Sequence, residues 1–190
     1  MSNSQAVVPS RASAGARVQH LVLRVRDLEK SHDFYTRILG YEQCGNLAGF
    51  DPIQMRFYRG SADSHHDCAL AQLLGAEAAP PVETPWQMFG VTPGIDHIAM
   101  CYPSRDAWLS QLQWMKSQGV EFLVRINHGM THSAYIADPD GNGIEVLYDV
   151  PAEAWEGDVD KALNYVEVLP TDGPEAFEDS TDYKVFEPAS

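Results

Sequence analysis

Three side chains in this sequence are of the kinds that grip a metal ion: His20, His97 and Glu145. They form no local motif, since 77 and 48 residues separate them. Glu145 stands among Ile144, Val146 and Leu147, directly after Asp138-Pro139-Asp140-Gly141-Asn142-Gly143. That run is turn chemistry, with Pro139 presetting φ and the two glycines free to take φ > 0. A carboxylate in a buried strand is costly unless it is paired or bound to a cation. Strand alternation offers the other outcome, in which Glu145 turns to solvent. The histidines add weight to the first reading because they repeat. His20 and His97 each lie in the first strand of one of two similar halves. From His to the helix-ending glycine (Gly40, Gly119) is 20 residues in one half and 22 in the other. Two imidazoles and one carboxylate leave about three coordination positions open, the donor set that suits non-haem Fe(II); Mn(II) accepts it too.

The elements that must position these residues follow from local pattern. Residues 18–25 read as a strand. Asp27 can cap a helix with Leu28, Phe34, Tyr35, Ile38 and Leu39 on its apolar side, stopped at Gly40. Residues 41–46, 53–58 and 66–74 are three short strand candidates. After a linker, residues 76–93, that holds four prolines, the order repeats. Residues 95–102 read as a strand, and Ser104 caps a helix bearing Trp108, Leu109, Leu112 and Met115. Residues 120–126, 133–137 and 144–148 are three more strands. Two copies of one supersecondary unit must pack together to bury their faces. His32, beside Asp33 on the first helix, reads as part of a solvated face.

Length and charge narrow the function. The chain has 190 residues, enough for one domain built from two half-domains. Net charge is −14, of which residues from 151 onward supply −9 through eleven Asp/Glu against two Lys. This argues against nucleic-acid binding as the main task. No apolar run approaches the roughly 20 residues that cross a bilayer, and residues 1–16 lack a secretory hydrophobic core. Three cysteines without metal-type spacing fit free thiols in a reducing cytoplasm. The expectation is a cytoplasmic protein without membrane contact. It comprises a disordered arm over 1–16, one domain over 17–150 (modules about 17–75 and 94–150) and an acidic extension over 151–190 that wraps the surface. The acidic tail and the aromatic residues point to self-association as a homodimer.

At residues 18–151 the sequence resembles the vicinal oxygen chelate superfamily. The paired strand-helix-three-strand order, a His in each first strand and D-P-D-G-N-G-I-E near the end carry that resemblance. S-H-H-D-C-A-L-A (64–71) and H-G…Y-I-A-D-P-D-G-N-G-I-E resemble the type I extradiol ring-cleaving dioxygenases. The tail W-E-G-D-V-D-K-A-L-N-Y is similar to small one-domain members of the biphenyl-2,3-diol dioxygenase kind. The resemblance implies an α+β fold of two βαβββ modules pairing into a half-barrel metal site. It implies an Fe(II) centre (Mn(II) as the other candidate) held by His20, His97 and Glu145. The reaction implied is extradiol cleavage of a catechol, such as 2,3-dihydroxybiphenyl or a 3-substituted catechol, by O2. His66 would be the acid/base and Tyr135 would hydrogen-bond the substrate. His128 would be a second polar group, with His132 competing for its place. Glyoxalase-like members place a fourth protein ligand opposite Glu145 in the first half, near residues 68–71. No Glu or His stands there, and Gln72 is the nearest substitute. A glyoxalase-type metalloisomerase or epimerase is therefore the first alternative, and a metal-free small-molecule-binding resistance protein the second.

Overall fold

The two main helices begin where side-chain chemistry supplies a cap. In the computed structural model, which describes residues 18–49, 51–75, 86–90 and 94–188, Asp27 accepts the backbone N–H groups of Glu29 and Lys30, each at 3.1 Å. The expected arm and most of the proline-rich linker lie outside the described residues. Helix α1, Leu28–Asp33, continues as a π-helical turn over Phe34–Ile38 and ends before Gly40 at φ 83°. Helix α2, Arg105–Ser117, is capped by Ser104 and stops before Gly119 at φ 80°. It buries Trp108, Leu112 and Met115, one apolar stripe at helical spacing.

Each half builds one mixed sheet. The first contains β1 (Leu21–Arg24), β2 (Glu42–Asn46), β3 (Ile53–Arg59) and β4 (Cys68–Leu73), in spatial order β1-β4-β3-β2. The second contains β5 (His97–Cys101), β6 (Val124–Asn127), β7 (Thr131–Ala137) and β8 (Gly143–Asp149), in the matching order β5-β8-β7-β6. In each, the first strand lies parallel to the fourth and the remaining pairs are antiparallel. This is the βαβββ module twice, an α+β architecture. The strands sit within a few residues of the sequence expectation; β6 starts four residues late because 120–123 is spent leading out of α2.

Alternation along β8 divides its faces. Ile144, Val146 and Tyr148 join Trp108, Leu112 and Met115 in the core, and the Trp108 indole donates to the Val146 carbonyl at 2.9 Å. Glu145 and Leu147 face the other way. The D-P-D-G turn then docks the halves together. Arg26 bonds Asp140 Oδ1 at 2.8 Å and the Pro139 carbonyl at 2.7 Å. The Tyr35 hydroxyl donates to Asp138 Oδ2 at 3.1 Å. His32 is not solvated as expected: its Nδ1 lies 3.0 Å from the Tyr58 hydroxyl, because α1 turns that face onto β3.

The C-terminal segment adds elements that its acidic composition hid. Short helices α3 (Ala152–Trp155) and α4 (Val159–Leu163) precede β9 (Glu167–Leu169), which pairs antiparallel with β6 and extends the second sheet. Beneath it Arg125 is fully buried, donating to the carbonyls of Pro170 at 2.9 Å and Glu175 at 3.2 Å. Phe186 covers the His128–Gly129 turn so closely that a Cβ on Gly129 would stand 2.7 Å from its ring. Among the described residues, no helix is long and apolar enough to cross a membrane.

Candidate metal centre

Strand register places Glu145. It stands directly opposite Tyr135 on β7 and Ala99 on β5, on the face turned away from α2. The residue is 6% exposed, so its carboxylate needs partners. The Tyr135 hydroxyl donates to Glu145 Oε1 at 2.9 Å and lies 3.0 Å from His128 Nε2. With the hydroxyl proton given to Glu145, His128 must supply Nε2–H to the tyrosine oxygen. Burial, and then the Glu145 carboxylate, push the Tyr135 hydroxyl far above its usual range, so it remains a donor. Burial holds His128 below the ordinary histidine value, opposed by Glu145.

His97 opens β5 beside this pair, its Nε2 3.1 Å from Glu145 Oε2. Its other nitrogen, Nδ1, lies 2.8 Å from Asp96 Oδ1. A neutral imidazole has one N–H and can serve one carboxylate. The other contact sets a nitrogen lone pair against a carboxylate oxygen, which is repulsive unless positive charge sits there, as a second proton or a cation. Donors at about 2.1 Å from one ion, at right angles, stand roughly 3 Å apart. His97 and Glu145 thus fit two adjacent ligand positions of a divalent ion.

His20 is not at this point. It precedes β1, and its ring lies 4.6 Å from His66, which packs in turn on Phe57 at 5.3 Å. His65 and His66 approach through their Nδ1 atoms at 2.6 Å. Partial burial, then His65 and His20, hold His66 below the ordinary histidine value. Among the described residues, no three His, Cys, Asp or Glu side chains group to hold an ion. The candidate residues therefore form two clusters, one per module: His97, Glu145, Tyr135 and His128 in the second, His20 and His66 in the first. The repeat places His97 at the head of β5 and His20 just ahead of β1, but it does not set the gap between the sheets. β1 and β5 are edge strands of separate sheets, so no hydrogen-bond ladder sets their spacing. A cavity of about 150 Å³ lies between them, lined by His20, Ile98, Ala99 and Met100.

The competitor His132 sits on the opposite face of β7 from Tyr135, bonded through Nδ1 to Asp179 at 2.7 Å. The register also locates the counterpart of Glu145. Ala99 pairs with Glu145 and Val22 pairs with Ala69, so Ala69, fully buried, holds that place in the first half. Gln72 is already engaged, accepting the Leu28 N–H at 2.9 Å.

Two neighbours were not anticipated. Asp96 is one; its signal was an acceptor immediately before the strand histidine. Trp86 is the other. Its indole stacks on Tyr135 (centroids 5.7 Å, planes 8° apart), stands edge-on to His97 and lies flush on Gly143, where a Cβ would come within 2.2 Å of Nε1. Nothing in a proline-rich linker marked it.

Comparison with known proteins agrees with this architecture. Biphenyl-2,3-diol 1,2-dioxygenase 2 of Rhodococcus globerulus is 30% identical over 137 residues, covering 72% of this chain. The chain spans 65% of that relative's length. Lactoylglutathione lyase of Pseudomonas putida is 29% identical over 162 residues, 74% of this chain and 89% of that protein. The crystal structure of a glyoxylase/bleomycin resistance protein/dioxygenase domain from Frankia sp. EAN1pec superposes with a TM-score of 0.56 at 20% identity, covering 72% of this chain and 99% of that one, a likeness of fold. The sequence profile of the Glyoxalase/Bleomycin resistance protein/Dioxygenase superfamily matches residues 17–146, the two modules almost from end to end, and the chain belongs to that superfamily.

Proposed function

We propose that this protein is an extradiol ring-cleaving dioxygenase acting on a catechol, and that His97, Glu145 and His20 hold its Fe(II) or Mn(II). The observation that carries the reading is His97 set between two carboxylates, a contact that a divalent cation held by Nε2 and Glu145 would satisfy. Such an ion would supply the open positions at which a catechol and O2 meet and the route for electrons between them. The remaining roles belong to the chain. Tyr135 holds Glu145 through its hydroxyl, and His128 holds Tyr135. His66, a neutral imidazole near working pH, takes a proton from a substrate hydroxyl and returns one as the ring opens. Both oxygen atoms of O2 end in a muconic semialdehyde-type product.

The likeness to a biphenyl-2,3-diol dioxygenase supports the substrate class. The likeness to a lactoylglutathione lyase keeps a metalloisomerase in view. Ala69 counts against it, because the isomerase pattern needs a fourth donor where this chain has a methyl group. A buried Glu145 likewise counts against a metal-free binding protein. The test is oxygen uptake by anaerobically purified, Fe(II)-loaded protein with catechol, 3-methylcatechol and 2,3-dihydroxybiphenyl. A yellow ring-cleavage product is expected with at least one. Uptake with none, alongside turnover of a hemithioacetal, would replace the dioxygenase with the isomerase.

A further inference from the structure

Each first-strand histidine is preceded by a side chain that takes its Nδ1. Asp96 Oδ1 lies 2.8 Å from His97 Nδ1, and Gln19 Oε1 is in hydrogen-bond contact with His20 Nδ1. The two copies of the repeat thus carry one device, an acceptor followed by a histidine. In both, the preceding side chain engages Nδ1 and leaves Nε2 to face away from it, in His97 toward Glu145 at 3.1 Å. Both acceptors are themselves tied down. Asp96 Oδ2 accepts the Phe89 N–H, and its backbone carbonyl accepts the Trp86 indole. Gln19 Nε2 lies 3.2 Å from the His66 carbonyl and 3.1 Å from His65 Nε2.

The copies differ in charge. Asp96 is a carboxylate and Gln19 a neutral amide. A carboxylate on the far nitrogen of a ligating imidazole fixes its tautomer and makes it a stronger donor, and losing such a partner typically costs 10–100-fold in metal affinity. We propose that Asp96 is the positioning residue that makes His97 the anchoring donor of the centre, and that Gln19 leaves His20 as the weaker donor that joins afterwards. This rests on the reading of the site as a metal centre. It matches the arrangement seen, in which His97 already meets Glu145 at 3.1 Å and His20 does not.

The test is Mn(II) binding to the full chain, read from the EPR signal of the free aqua ion. Asp96→Asn keeps the acceptor oxygen and removes only the charge. It is expected to weaken Mn(II) roughly 10–100-fold. Gln19→Ala should change affinity by less than about 3-fold, and Gln19→Glu should tighten it. Asp96→Glu, which restores the charge, should recover most of the loss and guards against a merely misfolded Asn variant. In the Zn(II)-loaded protein, ¹⁵N spectra should show His97 protonated at Nδ1. Wild-type affinity in Asp96→Asn, or an equal loss in Gln19→Ala, overturns the inference while leaving the metal centre standing. Failure of the wild-type chain to take up Mn(II) removes the metal centre and the inference with it.

Discussion

Asp179 reaches back 47 residues to accept a hydrogen bond from His132 Nδ1 at 2.7 Å, with its side chain only 3% exposed. The same carboxylate takes the Tyr148 hydroxyl and lies 3.4 Å from Arg105 Nε. This one residue of the C-terminal segment therefore fastens the face of β7 and β8 that packs toward α2, while their opposite face bears Tyr135 and Glu145. Removing one partner from a buried charged cluster leaves the others unsatisfied. Asp179→Ala should lower unfolding free energy by about 2–4 kcal/mol in urea titrations. A double-mutant cycle with His132→Ala should show strong coupling; additive losses would mean the two residues act separately.

Tyr135 touches both Glu145 and His128, so Tyr135→Phe removes one hydroxyl and two hydrogen bonds without opening a cavity. If the proposed reaction is the right one, turnover should fall by about 100-fold or more. Unfolding free energy should change by only about 1–2 kcal/mol. The comparison needs steady-state rates and a melt on one preparation; parallel collapse of both would make Tyr135 a packing residue alone.

Gly143 gives Trp86 the space to lie flat. A Cβ there would stand 2.2 Å from the indole nitrogen, so Gly143→Ala should drive the indole off Tyr135. The expected cost is about 1–3 kcal/mol. Near-ultraviolet circular dichroism should lose intensity in the tryptophan region, and Trp86→Phe should remove the same signal. An unchanged spectrum in both would show that the stack contributes nothing to it.

The three thiols should separate by reactivity. Cys68 is buried, and burial with help from Asp67 pushes its pKa up to about 12. At pH 8 its thiolate fraction is then of order one in ten thousand. Cys44 and Cys101 are exposed, although partial burial and Asp149 raise Cys101 as well. Native protein should release two equivalents of chromophore from an aromatic disulfide reagent at pH 8, and a third only after unfolding. Rapid release of three would contradict the packing around β4.

Several parts of this architecture were legible from residue patterns because local physics decides them. Caps at Asp27 and Ser104, glycines past each helix and the D-P-D-G turn all act within a few residues. The repeat then assigned His20 and His97 to matching strands. What sequence left open depends on contacts between elements. Asp138 and Asp140 read as turn residues, yet they also accept from Tyr35 and Arg26 of the other half. Trp86 lies in a linker with no periodicity to exploit. The C-terminal segment announced only its charge, whereas Ala154, Ala162, Ala176 and Phe186 are residues it turns inward. The distance from His20 to Glu145 is set by how two sheets meet at unpaired edges, which no strand pattern encodes.

Arg125 lies inside the segment shared with the superfamily, but every carbonyl its guanidinium reaches belongs to residues 170–178. A fragment trimmed to the shared boundary at 146 would cut β8 short and remove both those carbonyls and the β9 strand paired with β6 at Arg125. Genetic dissection that is to keep the Arg125 guanidinium covered as it is here has to cut beyond Glu178.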